Sequence, residues 1–171
     1  KICAYDRYGW HREQHLDNEF YGNFGTFDVR VTLPGTFLLA HAGTLLNPRE
    51  VLPDSILARL AAPGDSAVTI WDRSRFAAPT DSAARKAAEA PRTWALHADS
   101  VHEFAWAAEE KWIWKRARWS GIDVCTYHRA GDFTRWKDVA REAARMLEAL
   151  STRFGPYPYA RFSIVEEPIA A

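Results

Sequence analysis

YGNFGTFDVRVTLP, residues Tyr21 to Pro34, reads as a strand with one buried and one wet face. Phe27, Val29, Val31 and Leu33 alternate with Asp28, Arg30 and Thr32, and a period of two puts the sets on opposite sides of a pleated backbone. Gly22 and Gly25 punctuate its start. Pro34 and Gly35 end it, since proline has no amide hydrogen for a ladder and glycine permits the turn. The next apolar run, Thr36 to Ala42, follows closely enough that a hairpin across Pro34-Gly35 is expected.

On the N-terminal side, Lys1 to Tyr5 reads as a short strand and Asp6 to Glu19, DRYGWHREQHLDNE, as a polar, aromatic loop. Downstream, Asn47-Pro48 marks a turn, and a short helix runs from Pro53 through Leu60 with Asp54 or Ser55 as its cap. Ala67 to Trp71 reads as a strand. Phe76 to Pro91, poor in large apolar residues, reads as an excursion with a marginal helix in its Ala-rich middle. Alternation returns at Thr93 to Ala98 and again through His102, Phe104 and Trp106. Lys111 to Trp119, KWIWKRARW, sets Trp112 and Trp114 on one side of a strand, and Ile122 to His128 completes a meander.

Near Gly131 the period changes. Trp136, Val139, Ala140, Ala143, Leu147, Leu150 and Phe154 fall three or four apart, the spacing of an amphipathic helix that Asp132 or Thr134 can cap and Gly155-Pro156 can stop. Arg161 to Val165 is the last strand. The expected fold is mainly β, antiparallel sheets of saddle or sandwich type, with a C-terminal amphipathic helix and strand. The change of period divides residues 1–131 from 132–171.

With 171 residues, 47% of them hydrophobic, the chain can bury one ordinary core, or a small domain with a piece of another. Lys plus Arg and Asp plus Glu are equal at 22 each, which gives no charge excess for a polyanion, so no nucleic-acid partner is expected. No run is long enough to span a membrane. Cys3 and Cys125 are too far apart for a C-x-x-C motif and read as two buried thiols, a bridge remaining open if their strands adjoin. Nothing in the pattern assigns a compartment. Both ends read as cut, since the chain enters strand directly at Lys1 and closes just after one, so a segment of a longer protein is expected.

His11 and His15 stand four apart like zinc ligands on a helix. A helical zinc-peptidase motif needs Glu directly after the first His, however, and here that position is Arg12, with Glu13 one place late and no helical spacing around it. His102-Glu103 starts the same motif correctly, but Trp106 occupies the place of the second His. Lys111, Lys115, Arg116 and Arg118 interleave with Trp112, Trp114 and Trp119, a combination able to grip single-stranded nucleic acid or sugar, though a buried aromatic face has the same spacing. Glu166 and Glu167 follow a strand and read as a solvated end. No phosphate loop or nucleophile elbow occurs.

Five stretches together resemble the aminopeptidase N family of zinc metallopeptidases, the gluzincins, in its bacterial branch. They are KICAYDRYGWH at the start, EFYGNFGTFDVRVTLP at Glu19 to Pro34, VLPD at Val51 to Asp54, TWALHADSVHEFAWAA at Thr93 to Ala108 and FGPYPYARFSIVEEP at Phe154 to Pro168. The resemblance implies the later part of the family's N-terminal β domain over 1–131 and the opening of its thermolysin-like domain over 132–171. The family's amine-binding G-x-M-E-N-like strand and its H-E-x-x-H zinc motif are not within Lys1 to Ala171. The resemblance therefore assigns no catalytic, cofactor-binding or metal residue here, and implies zinc and a peptide substrate only for the parent protein. The partner it implies for this segment is the rest of its own chain, the catalytic domain. The alternative is a self-contained β-sandwich module whose tryptophans hold carbohydrate or a protein partner; a family member that lost its zinc site is a third reading.

Overall fold

The computed structural model describes residues 4–11, 24–72 and 80–166. Cys3, His15, Gly22 and Glu167 lie outside them. Ala4–Asp6 (β1) and Gly9–His11 (β2) pair antiparallel, so the stretch read as a loop opens with a hairpin. The anchor stretch is β3, Gly25–Leu33, and it keeps its alternation: Val31 is buried while Asp28, Arg30 and Thr32 are exposed.

After β3 come β4 (Leu38–His41), β5 (Thr44–Leu45), α1 (Pro48–Val51), α2 (Asp54–Ala61), β6 (Val68–Asp72), α3 (Ser82–Glu89), β7 (Arg92–Val101), β8 (Trp106–Glu109), β9 (Trp112–Trp119) and β10 (Ile122–Arg129). A 3-10 turn at Ala130–Asp132 leads into α4 (Phe133–Trp136), α5 (Val139–Phe154) and β11 (Arg161–Val165). β7 lies between β3 and β5, β4 pairs with β8, and a four-stranded sheet runs in the order β11-β10-β9-β6.

The hairpin expected across Pro34-Gly35 does not form. β7 takes up β3 along its length, from Gly25 against Val101 to Leu33 against Arg92, and the neighbouring run β4 joins a different sheet. All pairings among the described residues are antiparallel except β10 with β11, which run parallel because α5 carries the chain back across the sheet. The chain is thus mainly β, in antiparallel sheets, with a C-terminal helix followed by a strand.

Local chemistry explains the element ends. Ser120 and Gly121, at φ of 49° and 80°, make the two-residue turn that joins β9 to β10, with the twist a hairpin favours. Of the expected meander this hairpin alone forms; residues 102–105 are not strand, and β7 and β8 belong to other sheets. α2 starts after Pro53 with no side-chain cap, so neither Asp54 nor Ser55 caps it, whereas Asp81 caps α3 by accepting from the Ala84 amide at 2.7 Å. The single helix expected from Trp136 is broken at Lys137 and Asp138. Lys115 Nζ, on β9, donates to the Lys137 carbonyl at 3.2 Å and holds that break.

The four-stranded sheet is covered on both faces. Trp112, Trp114, Cys125 and Tyr127 point to a core shared with Val31, Leu39, Ile56, Ile70 and Leu96. On the other face Ala117, Ile122 and Val124 meet Ala140, Ala143, Ala144 and Leu147 of α5. Small alanines let the helix lie close, and Trp136, before the break, stacks on His128 at 5.6 Å, but the far end of the stripe read from the sequence is unused: Leu150 is 45% and Phe154 78% exposed. Polar side chains of β9 are buried with the apolar ones. Arg116 donates to the Leu60 carbonyl at 2.6 Å, and Arg118 to the same oxygen at 3.1 Å, where α2 ends and its carbonyls lack intrahelical partners. No helix among the described residues is long and apolar enough to cross a membrane.

Candidate functional site

A cavity of about 910 Å3 opens where the end of β4, the end of β7, β8 and the segment from Tyr157 through β11 converge. Glycine shapes its edge. Gly43 has φ +70°, and a Cβ there would collide with the His97 carbonyl, so only glycine lets the turn after β4 lie against β7. Ser163 Oγ on β11 donates to the His41 carbonyl at 3.2 Å, and Tyr159 donates to the Ser100 carbonyl at 3.2 Å. These bonds fasten the C-terminal strand and the turn before it to β4 and β7.

Arg161, the first residue of β11, supplies the cavity's central charge. Its Nη1 donates to Cys125 Sγ at 3.2 Å and to the Tyr127 hydroxyl at 3.3 Å, and its guanidinium lies 5.9 Å from the Trp114 ring centre. Burial pushes both the Cys125 thiol and the Tyr127 phenol up, so both are neutral at pH 7. His41 on β4 is 4% exposed, and burial, with the Arg161 charge next, lowers its pKa to about 4. Its Nδ1 lies 3.1 Å from the Ala42 carbonyl.

Of the other ionisable groups lining the cavity, Glu103 is exposed at the rim and most of the rest have polar partners. Arg129 donates to Glu109 at 3.0 Å, and that bond is the main reason the Glu109 carboxyl sits below its ordinary range. The Arg129 amide donates to the Glu166 carboxylate. His97 and Asp28, register partners on β7 and β3, meet at 2.8 Å, and Thr26 donates to Asp99 at 2.6 Å, which holds the Asp99 carboxyl low.

No protein-family model matches this chain, and no curated protein does.

The candidates read from the sequence are scattered. His11 ends β2, while Arg12, Glu13 and His15 lie outside the described residues. His102 and Glu103 are exposed on the rim between β7 and β8, not on a strand, and His102 stacks on Phe24 at 5.3 Å. Among the described residues no three His, Cys, Asp or Glu side chains come together in a group able to hold a metal ion. Trp112 and Trp114 are 3% and 4% exposed, and Lys115 and Arg116 are buried, so β9 offers neither a stacking platform nor a basic groove. Cys125 is a buried free thiol, and its suggested partner Cys3 lies outside the described residues, as does Glu167. Arg161, His41 and Tyr127 carried no local signal. They meet only because β11 pairs with β10 and is tied to β4.

Proposed function

We propose that this chain is a non-catalytic segment of a zinc-dependent aminopeptidase, a scaffold that walls the active-site cleft of a larger protein removing N-terminal residues from peptides. The observation that carries the reading is the order and combined coverage of the five resembling stretches, the last of which, FGPYPYARFSIVEEP at Phe154 to Pro168, is folded through Glu166 as a helix end, a proline-tyrosine turn and an edge strand. β11 stands at the border of its sheet, and its outer edge has no ladder partner among the described residues. A strand that follows it in the parent chain has a place to pair. The cavity beside β11 then becomes part of the wall facing the catalytic domain. Zinc and its ligands belong to that domain, and no step of the chemistry rests on residues of this segment.

Reading the coding sequence past Ala171 tests the proposal. A G-x-M-E-N-like stretch, then H-E-x-x-H and a downstream Glu, is expected, with zinc-dependent release of N-terminal residues by the longer chain. A stop codon directly after Ala171 overturns it.

One observation favours the second reading, a self-contained binding module for carbohydrate or a protein partner: α5 already buries Ala140, Ala143, Ala144 and Leu147 on the β9–β10 hairpin of this same chain. A module unfolds cooperatively, is monodisperse and leaves hydrophobic dye unbound. Sugar-dependent quenching of Trp106, half exposed at the cavity mouth, would identify its ligand class.

A further inference from the structure

We infer that the cavity holds a small organic acid, its carboxylate on the guanidinium of Arg161 and its apolar body between the aromatic walls. This goes beyond the aminopeptidase reading and does not rest on it. A guanidinium carries five donors in a planar fork. The protein bonds to Arg161 use one nitrogen, Nη1, and both acceptors are neutral groups. Among the described residues no carboxylate oxygen comes within 4 Å of it. Asp123, its register partner on β10, is turned to Arg118 at 2.9 Å and Arg116 at 3.9 Å, and Glu109 is taken by Arg129.

A partly buried cation without a counter-ion is an unfavourable arrangement in a folded chain, and the usual relief is an anion. Arg161 packs on one side against Cys125, Tyr127 and Trp114 of the core, and on the other it lines about 910 Å3 of open space. The free edge of a guanidinium matches the two oxygens of a carboxylate, which it bonds bidentately. Trp106, Tyr157 and Tyr159 line the cavity, so the body of the acid meets rings and apolar surface. His41, held neutral beside Arg161, adds no competing charge and no second anchor. The arrangement therefore selects one carboxylate on an aromatic or aliphatic body.

Titration calorimetry of the full chain with benzoate and with benzamide, its neutral isostere, tests the inference. Benzoate is expected to bind at least tenfold more tightly than benzamide, with the preference shrinking as salt rises. Arg161→Met removes that preference, and Arg161→Lys keeps part of it. The Met variant is expected to fold, since an apolar side chain replaces an unpaired buried charge. Should it unfold, the benzoate-to-benzamide ratio on the unaltered chain decides alone. Equal binding of the two, no binding of either, or benzoate affinity unchanged in Arg161→Met each overturns the inference.

Discussion

β3 and β9 both mix apolar with polar residues and differ in three dimensions. In β3 the polar rungs Asp28, Arg30 and Thr32 face water, whereas in β9 the adjacent Lys115 and Arg116, on opposite faces of the strand, are both buried. The difference lies in what covers the second face. β3 belongs to a sheet with one packed side, while β9 has the main core on one side and α5 on the other. A polar rung in such a strand persists where it meets backbone carbonyls at a helix end, as Arg116 does at α2 and Lys115 does at the break before α5. Alternation thus reports residue chemistry, and burial follows from how many layers the sheet has.

Substituting alanine at matched rungs is the sharpest test. Arg116→Ala removes the shorter of the two bonds to the Leu60 carbonyl and opens a void, and is expected to lower unfolding free energy by about 3 kcal/mol. Arg30→Ala, on the wet face of β3, should cost less than about 0.5 kcal/mol. Similar losses at the two rungs in urea denaturation would break the contrast.

The same principle extends to His41 on β4. Its folded pKa, about 4, lies below the ordinary 6.5, so below pH 6.5 the unfolded chain binds a proton that the native chain refuses. This contribution is fully present above pH 6.5 and is lost as pH falls toward 4, by about 3 kcal/mol in all. A His41→Gln variant measured against the unaltered chain should lack that slope; parallel curves for the two would remove His41 from the buried polar set.

On the α5 face, Leu147→Ala is expected to cost about 2 kcal/mol, the low end for leucine because neighbouring alanines leave a shallow gap. Phe154→Ala should cost under about 0.5 kcal/mol, since the ring is already in water. If Phe154 proves the costlier of the two in thermal melts, the helix packs through a different stripe. The smallest effect belongs to Asp28→Asn, which weakens an exposed hydrogen bond with His97 and is expected to cost about 0.5 kcal/mol or less in the same melts.

What sequence could and could not convey follows the same line. The existence of most strands and the C-terminal end of α5 at Gly155 are local matters, fixed by glycine, proline and periodicity, whereas the start of α5 at Val139, after the break at Lys137 and Asp138, was not. Pairing is not local. β3 finds its partner in β7, far along the chain, and the nearest candidate, β4, goes elsewhere, so the expected hairpin failed. The cavity was illegible for the same reason: its lining residues Arg161, His41 and Trp106 come from three strands, and each reads singly as an ordinary strand residue. The tryptophans of β9 were ambiguous until both sheet faces were known to be covered.

The parallel pairing of β11 with β10 imposes a timetable on biosynthesis. As the chain leaves the ribosome, β9 and β10 can close at once through their two-residue turn, but one border of β10 must wait until α5 and the turn beyond Gly155 have been made. During that interval an apolar strand with unpaired amides and carbonyls is open to any neighbouring nascent chain. Translation that pauses before Arg161 lengthens this exposure, and the ordering of one late pentapeptide ends it.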